Sequence, residues 1–288
     1  MFRNINGIPL SDISSTMLLT LYGRVKESLS KDPILKDPMG EKIVEGIYQS
    51  LLHSESKVFR NLARFKITHE LQVHAAIRAK QYDAYSREFL EQYPESVVVN
   101  LGCGLDTRFW RIDNGSMCFY DLDLPEVIQL KKTLVHETER YRMTACSVLD
   151  NRWLDEVTAL GKPVLLLAEG LFMYLPYEDV KKLIQEIGKQ INKGQLVAEV
   201  VNDSYTRGIN KIIVAYKFKY EIGFDKGLTY SCGLKNSREF ESWSPKFHLI
   251  DDWSYFDSDE KKLGVLKILG KIKSFRTVQW TVRYRIGV

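Results

Sequence analysis

The chain is poor in the features that mark several protein classes, and each gap removes one reading. No segment approaches the roughly 18 consecutive apolar residues of a membrane span, and the opening MFRNINGIPLSD lacks the apolar run of a signal peptide. A cytoplasmic protein with no membrane partner is the expectation. Cys103, Cys118, Cys146 and Cys232 form no CxxC pair and no zinc spacing, which leaves reduced thiols as the default. Histidine is equally uninformative. His69 and His74 stand five apart, which does not bring two ligands onto one helical face, and His53, His136 and His248 are isolated, so no metal is expected. Neither a GxSxG elbow nor a GxxxxGK phosphate loop occurs. Charge is nearly balanced, 41 basic against 37 acidic residues for a formal net of +4, and it is dispersed along the chain. No nucleic-acid footprint emerges from that pattern, and Lys261 with Lys262, like Lys271 with Lys273, read as solvated faces. What remains is an ordinary globular composition, 44% hydrophobic and 27% charged over 288 residues, enough for a sizeable α/β core.

The stretch VVVNLGCGLDTRFWR (97–111), followed by FYDLDLP (119–125), carries the most information. Aliphatic residues at 97–101 make a buried strand, Gly102 and Gly104 allow a tight turn, and a second strand ends on acids about 20 residues on, the place of a ribose-binding carboxylate. Asp121 and Asp123 both qualify, one of them with the alternative duty of capping the helix that begins at Pro125. The third glycine of a dinucleotide fingerprint is replaced by Thr107, which argues for a cofactor without a diphosphate. Before this motif, residues 1–92 read as a helical extension: Ile43, Ile47 and Leu51 trace one stripe, and Ile67, Leu71, Ala75, Arg78, Tyr82, Tyr85 and Phe89 another. Arg78 interrupts that second stripe, and an inward arginine needs a carboxylate. Strands are expected at 96–101, 117–122, 141–146, 164–169 and 195–201, with a helix opened by Pro176 and followed by Gly194. A helical cap at about 203–230 should follow, then a strand at 247–256, a short helix near 258–270 and a strand at 275–286.

LGCGLDTRFWR (101–111), DLDLP (121–125) and AEGLFMYLP (168–176), with a weaker match in LYGRVKESLSKDPIL (21–35), resemble the leucine carboxyl methyltransferase family of S-adenosylmethionine-dependent O-methyltransferases. The bacterial branch, similar to polyketide-synthesis O-methyltransferases, looks closest. The resemblance implies an α/β class I methyltransferase, Rossmann-like fold. Its seven-stranded sheet would be mostly parallel with an antiparallel last strand, preceded by the extension (1–92) and forming a domain (93–288) that carries the cap. It also implies roles. Gly102 and Gly104 would let the backbone approach the cofactor, Asp123 or its competitor Asp121 would hold the ribose, and Arg78 would clamp the cofactor carboxylate. Glu169 would face the amino group, taking that ammonium as its positive partner. Ser147 and Val148 stand where the family grips adenine with Asp-Leu, so this chain departs from the pattern there. Arg24 falls where a family base nears the active site, and Tyr174 and Arg108 are the substrate-side, catalytic candidates. The implied product is a methyl ester on a small-molecule or peptide C-terminal carboxylate, with S-adenosylhomocysteine released. A binding-only relative and a nicotinamide-dependent oxidoreductase remain alternatives; a nucleic-acid methyltransferase is disfavoured by Ala168, Glu169 and Gly170 at the fourth strand end.

Overall fold

The chain begins with a short hairpin, β1 (Arg3–Ile5) and β2 (Ile8–Leu10), then four helices: α1 (Asp12–Ser28), α2 (Pro38–Leu52), α3 (Lys57–Ala63) and α4 (His69–Gln92). In this computed structural model the described residues are 3–5, 7–10, 12–217, 219 and 228–287. The hairpin corrects the expectation of an all-helical extension. Helix starts follow local chemistry. Asp37 caps α2 by accepting from the Gly40 N–H at 3.0 Å, with Pro38 next in line, and Thr68 caps α4 by accepting from Leu71.

From β3 (Val97–Leu101) the chain alternates: α5 (Arg108–Ile112), β4 (Cys118–Asp123), α6 (Pro125–Lys132), β5 (Tyr141–Ala145), α7 (Arg152–Thr158), β6 (Val164–Ala168), α8 (Tyr177–Gln190) and β7 (Lys193–Val201). Next come α9 (Gly208–Lys217), α10 (Glu239–Trp243), β8 (Phe247–Trp253), α11 (Leu266–Leu269), α12 (Lys273–Arg276) and β9 (Gln279–Gly287). The sheet order is β5-β4-β3-β6-β7-β9-β8. Strands β3 to β7 pair in parallel, and β9 runs antiparallel to both β7 and β8. Central strands buried on both faces need continuous apolar runs, which VVVNL and VLLLA supply. Alternate residues feed opposite layers. Val98, Leu165 and Val197 pack towards the N-terminal helices, whereas Val97, Val99 and Leu166 pack towards α7 and α8.

Gly194 follows the end of α8, as expected, as the second residue of β7, where a Cβ would fall 2.4 Å from the Val164 carbonyl oxygen. Two expectations shift in detail. The single helix near 258–270 is instead broken into 3-10 turns and the short α11 and α12. In the cap, a 3-10 turn (Asp203–Thr206) precedes α9; residues 218 and 220–227 of that expected segment lie outside the described residues.

Candidate active site

Strands β3, β4, β6 and β7 end on one edge of the sheet, and polar side chains gather there. In the turn after β3, Gly102 and Gly104 have φ of +65° and +50°, a region costly for any residue with a Cβ. A Cβ on Gly102 would fall 2.8 Å from Leu171, and one on Gly104 2.8 Å from Met17. Leu171 belongs to the AEGLFMYLP segment, so two of the sequence motifs meet physically. The Gly104 N–H donates to Asp123 Oδ2 and the Leu124 N–H to Asp123 Oδ1, each at 2.7 Å. Burial pushes the Asp123 carboxyl up to about 6, against the lowering effect of those backbone donors.

Asp121 behaves differently and is corrected as a ribose candidate. Its carboxylate pairs with Lys131 Nζ at 2.7 Å and accepts from Tyr141 at 2.5 Å and Asn100 at 3.0 Å, all buried. Both acids share one face of β4, but Asp121 lies inside the strand under Lys131 and Tyr141, while Asp123 is its last residue and takes the backbone N–H groups of the turn.

Beneath the strand ends runs a continuous ionic chain. Arg78 on α4 donates through Nε to Glu169 Oε1 (2.9 Å) and through Nη1 to Glu199 Oε2 (2.7 Å). Arg108 contacts Glu169 (2.6 Å), Asp106 (2.6 Å) and Asp83 (2.9 Å), and Arg111 contacts Asp83 (2.7 Å) and Asp106 (3.3 Å). Thr107 and Arg24 join Asp37 to the same chain at 2.5 Å and 3.2 Å, and Arg24 also reaches the Leu105 carbonyl. Buried ions persist when each finds partners. Burial pulls the Arg78 guanidinium down, but Glu199 and Glu169 more than reverse this, so its pKa lies above the usual value. Burial likewise raises Glu169 and Asp106, yet Arg78 and Arg108 for the first, and Arg108 and Arg111 for the second, hold both below the usual carboxylate range.

Two further expectations change here. Arg108, read as substrate-side, has a fully buried side chain committed to three carboxylates, which makes it a structural cation. Glu169 does have the cation its burial requires, but the chain supplies it twice over, from Arg78 and Arg108. Tyr174 has its ring centroid 5.9 Å from that of Tyr230, with Glu199 and Arg78 among its charged neighbours, and burial raises its hydroxyl pKa far above the ordinary value. Ser147 is exposed after β5, while Val148 is buried and its carbonyl accepts from the Trp153 indole at 2.9 Å.

Sequence reading missed Glu199, Asp106, Asp83 and Arg111. Glu199 had a signal: a lone carboxylate in the otherwise apolar LVAEVV of β7. Asp106 and Arg111 lie within LDTRFWR (105–111) but show no spacing that announces a partner 28 residues away, as for Arg111 with Asp83. Five carboxylates (Asp37, Asp83, Asp106, Glu169 and Glu199) thus interleave with four guanidiniums, an excess of one negative charge, with Asp123 beside them. That donor set suits a cofactor bearing net positive charge and a vicinal diol. Among the described residues no three His, Cys, Asp or Glu side chains are arranged to hold a metal ion.

Sheet order, glycine turn and strand-end acids together define a class I methyltransferase. The chain is 28% identical over 252 residues, 87% of its length and 86% of the relative's, to the tetracenomycin polyketide synthesis O-methyltransferase TcmP of Streptomyces glaucescens. It is 27% identical over 254 residues, 83% and 80% of the two lengths, to the S-adenosyl-L-methionine-dependent methyltransferase dpfgK of Gibberella zeae. A solved DUF574-family protein of Streptomyces avermitilis shares the fold at TM-score 0.58, 13% identity, and 94% and 97% coverage. Residues 17–188 match the model of the leucine carboxyl methyltransferase family, to which the chain belongs. It is a methyltransferase, and its cofactor is S-adenosylmethionine.

Proposed function

We propose that the protein methylates an oxygen nucleophile, specifically a carboxylate of a small molecule or of a peptide C-terminus. The observation that carries this reading is the state of the bases at the site. Glu169 and Glu199 are tied to arginines, Arg78 and Arg108 for the first and Arg78 for the second, rather than left free to take a proton. A hydroxyl acceptor needs a base to take its proton. A carboxylate, with an ordinary pKa near 4, is ionised already and needs none. The name of the Streptomyces glaucescens relative, an O-methyltransferase of polyketide synthesis, supports oxygen as the target.

In this reading Asp123 accepts from the ribose hydroxyls, and Arg78 faces the cofactor carboxylate with the part of its fork that Glu169 and Glu199 leave. Glu169 lies beside the ammonium, and the left-handed turn at Gly102 and Gly104 removes side chains from the approach. Ser147 and Val148 border the adenine end. When bound, S-adenosylmethionine supplies an electrophilic methyl on a cationic sulfonium. The residues position the acceptor oxygen in line, and Tyr174 walls that side of the site. Anion and cation cancel during the displacement, so a mouth that excludes water favours reaction. Assay with methyl-labelled cofactor against carboxylic and phenolic acceptors tests the proposal. Label should appear in a base-labile ester; label confined to base-stable ethers would overturn the carboxylate assignment.

A further inference from the structure

Two apolar stripes face solvent on the rim of the sheet that holds the candidate site. On α9, Ile209, Ile212 and Ile213 are 55–73% exposed at the spacing of one helical face, while Val214 turns inward. Between β8 and β9, Val265, Ile268 and Ile272 are 49–79% exposed. Both segments spring from one place. Val201, ending β7, pairs with Gln279, beginning β9, and the Asn202 N–H donates to the Val278 carbonyl at 3.2 Å. Solvated apolar side chains on this scale mark a contact surface.

Charge decides the kind of partner. Residues 207–219 contain four Lys or Arg and residues 261–276 contain six, with no Asp or Glu in either. These segments carry +10 in a chain whose formal net is +4, so everything else sums to −6. Arg207, Lys262, Lys267 and Arg276 are partly offset by carboxylates from outside the segments, whereas Lys261 and Lys271 stand exposed. Apolar side chains bordered by lysines are the pattern of an interfacial segment that rests on anionic lipid. Even with those four cations offset, the face keeps a surplus of positive charge, and a second copy would set like charge against like, which opposes self-association.

We propose that α9 and the segment 261–276 dock the protein peripherally on an anionic bilayer, with the isoleucines at the acyl boundary and the lysines against lipid phosphates. No described helix is long and apolar enough to span a membrane, so this is surface attachment, in contrast to the sequence expectation of no membrane partner. The docked rim is also the mouth of the site. On the methyltransferase reading above, an amphiphilic acceptor would therefore enter from the lipid side, a consequence separable from docking itself.

Co-sedimentation with vesicles of phosphatidylcholine and phosphatidylglycerol (3:1), against phosphatidylcholine alone, tests the docking. Full-length protein should pellet with the anionic vesicles at least tenfold more strongly, and about 0.5 M salt should release it because charges are screened within a few ångströms there. Ile212→Asp with Ile268→Asp, and separately Lys261→Glu with Lys271→Glu, should each reduce pelleting at least fivefold while S-adenosylhomocysteine affinity and Tm stay unchanged. Charge-reversal variants that still pellet, equal binding to both vesicle types, or no binding by the wild type overturns the proposal. A dimer in sedimentation velocity that Ile212→Asp dissociates also overturns it, since the face would then belong to a second copy.

Discussion

Asp123 concentrates the residue-scale consequences of the strand-end geometry. Its carboxyl is raised by burial to about 6, so the folded protein without cofactor favours the neutral form at mildly acid pH. A neutral carboxyl is a poorer acceptor for a ribose diol. Affinity for S-adenosylhomocysteine should therefore be level above about pH 7 and fall towards tenfold per unit below about 6; Asp123→Asn should flatten that profile and weaken binding by about 1–2 kcal/mol. Isothermal titration between these pH values is the measurement, and a wild-type curve without inflection removes Asp123 from the ribose. Arg108 calls for a different outcome. With Asp83, Asp106 and Glu169 around one enclosed guanidinium, Arg108→Ala should destabilise the fold by about 3–5 kcal/mol in urea unfolding, because it strands buried carboxylates. The loss would concern folding first and activity through it. The place of Asp123 beside the glycine turn was legible because a strand-end acid has a fixed sequence distance from that turn; the commitment of Arg108 was not, because two of its three partners, Asp83 on α4 and Glu169 just after β6, leave no local trace.

Elements were legible in proportion to their length and periodicity. The central strands announced themselves through continuous apolar runs, and α8 through its acidic first turn and a single apolar face. Strands β1 and β2 span three residues each, too few for a period of two to register. The region before β9 was read as one helix, but Gly264 has a φ of +53° and a Cβ on Gly270 would fall 2.3 Å from Phe256, so the backbone turns where a helix would have run straight. The same reasoning makes a prediction for the turn after β3. Gly102→Ala forces a Cβ into a left-handed residue and against Leu171, and should cost about 1–2 kcal/mol or more of stability. Chemical unfolding reads that cost directly; a Tm equal to the wild type would mean the turn tolerates a side chain and that its glycine serves something else.

Across the whole molecule the ionic chain ties α1, α2 and α4 to the ends of β6 and β7. Burial opposes ionisation of Asp37, Asp106 and Glu169, yet neighbouring arginines depress all three carboxyls below their ordinary range. A depressed acid contributes stability that is fully present above its unfolded pKa and lost as pH falls towards the folded one. Thermal melts should therefore plateau above about pH 5 and drop steeply below about pH 4, with Asp123 working in the opposite sense near 6. An unchanged Tm from pH 5 to 3 would contradict the pairing. The wiring also has a temporal side. Arg78 meets Glu169 and Glu199 at separations of 91 and 121 residues, so when the early helices leave the ribosome their counter-ions have not yet been translated. Long-range closure of this sort slows folding, and the N-terminal portion must wait, loosely held, until the seventh strand is made.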